Sequence, residues 1–105
     1  MNQKNLKMLI QRGKNVDIND DLEREKIFNE KVDELCENED ETINFLSTCS
    51  KDEFNWISNA FEDIIMKFKS EKVLDSIKSN SLRFPDLGVS DEIEYACKAM
   101  QITKK

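Results

Sequence analysis

The side chains able to do chemistry in this 105-residue chain are defined first by what is missing: there is no histidine. That removes the commonest general base and the usual activator of a nucleophilic serine or cysteine. The three cysteines, Cys36, Cys49 and Cys97, form no CxxC pair and have no histidine to complete a zinc site. Each falls at or near an apolar stripe, so they read as small buried hydrophobes in a reducing compartment. Gly13 and Gly88 stand alone, so no glycine-rich phosphate loop is present. Asp20, Asp21 and Glu23 lack the spacing and the glycine of an EF-hand loop. The remaining chemistry is association. The expectation is a protein without catalytic residues, metal or cofactor, one that acts by binding.

Charge points to the kind of surface it would bind. The net charge is -6, and it is unevenly spread. Residues 1–16 carry only Lys4, Lys7, Arg12 and Lys14, whereas residues 17–41 hold twelve acids against three bases. A field of that sign repels nucleic acid and anionic membranes and attracts basic partners. The acids Asp33, Glu34, Glu37, Glu39, Asp40 and Glu41 are the candidate contacts on this segment; the plainer alternative is a solvated helix face. Lys67, Lys69, Lys72 and Lys78 are interleaved with Glu71 and Asp75, which argues against a direct nucleic-acid reader.

The elements that must carry these residues are helical. Two glycines and one proline leave little turn chemistry, and six phenylalanines and one tryptophan require a core. The most regular stretch is Ser50 to Phe68, opened by a Ser50/Glu53 capping box. Phe54, Ile57, Phe61, Ile64, Ile65 and Phe68 recur along it at helical spacing, and neither Gly nor Pro interrupts. Asp20 to Glu37 reads as a second helix, burying Leu22, Ile27, Phe28, Val32, Leu35 and Cys36. A short helix from about Glu41 to Thr48, one capped by Ser70, and one from Ser90 follow. Leu82 to Val89 reads as a loop pinned by Leu82, Phe84 and Leu87. Residues 1–16 read as an arm or a short helix ended by Gly13. Breaks this short fold the helices back on one another, so the expected fold is all-α, a single compact antiparallel bundle of about five to six helices. No apolar run is long enough for a signal peptide or a membrane span, which makes the cytoplasm the expected location.

Trp56 departs from the central stripe, lying roughly 120° from its middle on a helical wheel and sharing that flank with Asp52, Asn59, Asp63 and Lys67. It either packs beneath the N-terminal segment or serves as an aromatic anchor, with Asp52 and Asp63, for a basic partner.

The run ETINFLSTCSKDEFNWISNAFEDIIMKFKSEKVLDSIKS, followed by RFPDLGVSDEIEYA, covers roughly residues 41–97. Its INFL helix after an acidic residue, SKDEFNWIS start, FEDI centre, KFKS junction and closing Pro85–DEIEYA element resemble small acidic helical immunity proteins. Those are encoded beside bacterial polymorphic toxins, including contact-dependent growth inhibition systems. The resemblance implies tight binding to a cognate toxin C-terminal domain, many of which are basic nucleases, and it supplies no catalytic motif. A helical adaptor or regulatory subunit binding another basic or apolar protein surface is the competing class.

Overall fold

A computed structural model describes residues 2–103. Seven α-helices occur among them: α1 (Gln3–Asn15), α2 (Asp21–Leu35), α3 (Glu39–Thr48), α4 (Lys51–Ile57), α5 (Phe61–Phe68), α6 (Glu71–Ser81) and α7 (Ser90–Thr103). A single 3-10 turn, Ser58–Ala60, joins α4 to α5 in one helical run. No strand occurs among the described residues, and the all-α bundle is the observed fold.

Five helices begin on a side chain that satisfies an orphan backbone donor. Asn2, Asp20, Asn38, Ser50 and Ser70 accept from the N–H groups of Asn5, Glu23, Glu41, Glu53 and Val73. At Ser50 the capping box is complete, because the Glu53 carboxylate also accepts the Ser50 N–H at 2.9 Å. Acids in the first turns of α2, α3, α4 and α5 suit the positive end of each helix dipole. Lys69 ends α5 in the left-handed conformation (φ 51°), donating its N–H to Ile65 O at 2.8 Å.

The 3-10 turn departs from the uninterrupted helix expected over Ser50–Phe68. Ser58 Oγ donates back to Asn55 O at 2.7 Å, a local bond that competes with regular helix geometry. Three residues at roughly 120° each, instead of 100°, rotate the second half of the run by about 60° relative to a uniform helix. Both halves remain inside: Phe54, Ile57, Ala60, Phe61, Ile64 and Ile65 are all fully buried. Phe68, at the end of the stripe, is half-buried.

Around this run, α5 packs on α7, α1 on α2, and α3 on α6. Phe54 meets Phe61 edge-on at 5.3 Å between ring centroids and Phe84 at 5.5 Å. Phe84 and Leu87 do pin the 82–89 loop, but Leu82 is 80% exposed. A polar tie takes its place: Arg83 Nη2 donates to Leu46 O at 2.6 Å while its guanidinium stacks 4.7 Å from the Phe84 centroid.

Two further expectations need correction. Leu22 is 81% exposed, and the buried face of α2 is Ile27, Lys31 and Leu35, with Phe28, Val32 and Cys36 half-buried. The buried stripe of α2 starts only at Ile27, and the exposed Leu22 lies on the first turn, outside it. The N-terminal segment is a full helix that continues through Gly13 to Asn15 and buries Leu6, Leu9 and Ile10.

Truncating Phe54 or Phe61 to alanine should lower unfolding free energy by about 3–5 kcal/mol. Leu22→Gln should change it by no more than about 0.5 kcal/mol. Urea melts of the three variants check both; a costly Leu22→Gln would mean that the first turn of α2 is covered.

Candidate functional site

The acidic residues singled out in the sequence separate into two groups when placed on the fold. Several hold the protein together. Glu34 accepts from Asn2 N at 3.0 Å and Asn5 Nδ2 at 2.7 Å, tying the start of α1 to α2. Asp52 pairs with Lys14, and Glu39 accepts the Ser70 hydroxyl. Asp40 lies 3.5 Å from Lys72 and is almost fully exposed. Glu37 is exposed in the connection from α2 to α3, and Glu41 is exposed on the first turn of α3.

Asp33 and Asp63 form the second group. Both are exposed, and among the described residues neither carboxylate enters an ion pair. The packing of α2 on α5 brings them to one place, where both act on the Cys36 thiol. Burial pushes that thiol up to about 11, Asp63 and Asp33 add to the rise, and Lys67 opposes it. Burial also raises the Cys49 thiol. Both thiols therefore stay protonated near neutrality and are poor nucleophiles. Cys36, Cys49 and Cys97 are all free.

The basic residues of α1 are largely consumed inside the fold. Arg12 bridges Glu23 at 2.9 Å and Glu30 at 3.1 Å, Lys14 meets Asp52, and Lys7 lies 3.9 Å from Glu53. Their field is spent on neighbouring carboxylates, and the outward-facing balance remains acidic.

Trp56 stands one helical turn after Asp52 on α4, while Asp63 lies on α5. The half-buried ring of Trp56 leans on Gly13 of α1, so close that a Cβ at Gly13 would lie 3.3 Å from Trp56 Cζ3. The glycine thus provides the space for the indole, which explains a helix-weakening residue inside α1. Trp56 forms one wall of a cleft of about 310 Å³ between α1, α2 and the end of α4, together with Ile27, Phe28 and Val16. Asp21, Arg24 and Glu25 also line it.

Lys31, which sequence reasoning passed over as one more solvated charge, lies in this cleft at 4% exposure. Its Nζ donates to Trp56 O at 2.6 Å and Asn59 Oδ1 at 2.9 Å, and lies 5.5 Å from the Phe28 ring centroid. The carbonyls of a helix's last turn lack an intrahelical partner, and an ammonium there also meets the negative end of the dipole. Lys31 thus caps α4 from a neighbouring helix. The one available signal in the sequence is its register: Lys31 follows Ile27 by four residues and precedes Leu35 by four, inside the apolar stripe.

Among the described residues no group of three or more His, Cys, Asp or Glu side chains could hold a metal ion, and no helix is long and apolar enough to cross a membrane. No family model, curated protein or solved structure matches the chain.

Burial lowers the Lys31 ammonium from its ordinary 10.5 to about 8. Between those values the unfolded chain binds more protons than the folded one, so this group makes the fold more stable as pH rises through that interval and costs stability below it. The unfolding free energy of the wild type, measured against Lys31→Met by urea melts, should therefore improve from pH 7 to pH 10. A flat difference would place the amine in water.

Proposed function

We propose that this chain is an immunity protein: it binds the toxin domain of its own system, a basic nuclease, and neutralises it through a complementary acidic surface. The observation that carries this reading is the exposed carboxylate pair Asp33 and Asp63 on adjoining helices, without ion-pair partners among the described residues, while Lys7, Arg12 and Lys14 of α1 meet carboxylates within the fold. A surface of that kind raises the encounter rate with a basic partner and selects against acidic ones. Covering a basic groove with carboxylates also denies it to phosphate. The resemblance of residues 41–97 to immunity proteins supports the same reading. In it the chain itself performs no catalysis, needs no cofactor and works in the cytoplasm.

Within this reading the contacts narrow. Asp33, Asp63 and Asp40 are exposed acids open to a partner. Asp52, Glu34 and Glu39 serve chiefly to hold helices in place, and Trp56 serves the cleft wall. An adaptor reading is favoured by a different observation: Ile18 at 77% exposure stands beside Leu22, leaving apolar surface open at the α1–α2 turn.

The two readings separate in one experiment. The toxin domain encoded by the neighbouring reading frame is purified, and association is followed by stopped-flow at several salt concentrations. Asp33→Lys/Asp63→Lys should associate about ten- to a hundredfold more slowly than wild type at low salt, with the difference shrinking as salt rises. An unchanged rate would sink the acidic-surface reading. No association of the wild-type chain with the toxin domain at any salt concentration would favour the adaptor.

A further inference from the structure

The cleft between α1, α2 and α4 holds a charge without a counter-ion. A buried ammonium is ordinarily paired with a carboxylate, because taking it out of water costs several kcal/mol by general estimates. Lys31 has only neutral acceptors, Trp56 O and Asn59 Oδ1, and among the described residues no carboxylate forms an ion pair with it. Those two bonds use two of its three N–H donors. The side chain lines an open cleft, so the missing counter-ion can come from outside.

The walls say what else such a ligand carries. Trp56 and Phe28 offer aromatic surfaces, with Ile27 and Val16 completing an apolar lining. The volume of about 310 Å³ is at the small end of ligand clefts. Asp21 and Glu25 line the same cleft and offset the single added cation, Arg24, whose Nη1 is already directed to Ile18 O at 3.3 Å. These two exposed carboxylates of the lining oppose a dianion such as a phosphate ester and tolerate a single negative charge. From this we infer that the cleft is a binding site for a small monocarboxylate with a flat apolar body, its carboxylate on Lys31 Nζ and its ring between Trp56 and Phe28.

Trp56 is the single tryptophan of the chain, so its fluorescence reports on this cleft alone. The probes are phenylacetate and its uncharged counterpart phenylacetamide, titrated into the intact protein. Phenylacetate should give a saturable change, with phenylacetamide about tenfold weaker, as expected when a hydrogen bond to a charged group is lost. Phenyl phosphate should bind no better than the amide. Lys31→Met, checked for helicity by circular dichroism, should bind the acid and the amide alike. The comparison of the two probes on wild-type protein stands even if that variant fails to fold. Absence of a saturable response to phenylacetate, equal affinity for acid and amide on the wild type, or an undiminished preference in folded Lys31→Met would each overturn the proposal. None of these measurements involves a toxin, so they stand or fall independently of the immunity reading.

Discussion

Burial of the α4–α5 run constrains everything else in this molecule. Six of its residues, from Phe54 to Ile65, are removed from water completely, and no single neighbour could cover them. The run is wrapped instead from several sides, by α7 along α5, by α1 and α2 along α4 and the 3-10 turn, and by the Phe84 loop over Phe54. A small domain has little apolar material to spare, which is why an extended loop and an N-terminal helix are both recruited into one core. The about 60° of rotation introduced at Ser58–Ala60 turns the second half of the run toward α7.

Polar groups follow from that arrangement. Ending α4 inside the protein leaves carbonyls that water cannot reach easily, and Lys31 answers one of them from α2. Among the described residues no buried side-chain nitrogen or oxygen is left without a partner. Lys31 and Asp33 stand two residues apart on nearly opposite sides of α2, and the cleft beside Lys31 contrasts with the exposed pair Asp33 and Asp63. The first is an enclosed cation among aromatic rings; the second is a pair of solvated anions.

Much of the fold can be read directly from the residues. Ser50 with Glu53, Asn38 and Ser70 announce helix starts because their side chains act within a few residues of themselves. The apolar periodicity of the central stripe likewise depends only on helix geometry. What escaped the reading depends on partners distant in sequence. Gly13 looks like a terminator until Trp56, forty-three residues on, is seen to need its space. Lys31 looks like a surface charge until the end of α4 arrives beside it. Leu22 obeys the helical period but has no element opposite it. The acids illustrate the same limit: composition marks residues 17–41 as an anionic segment, but only the packing separates Glu34 and Asp52, which brace α1, from Asp33 and Asp63, which face solvent.

The bracing of α1 has a consequence for how the chain must be made. Leu6 and Ile10 belong to the same cluster as Phe54 and Ile57, and Lys14 meets Asp52 across a separation of 38 residues. The apolar face of α1, partly covered by α2, is therefore completed only when roughly half the chain has followed. Closing that long loop is the slow, entropically costly step of such a topology. The strongly charged α2, which appears next and pairs with Arg12 through Glu23 and Glu30, gives the nascent helix a polar companion in the interval. The packing of α1 is thus begun by the acidic helix that follows it and extended only when α4 arrives.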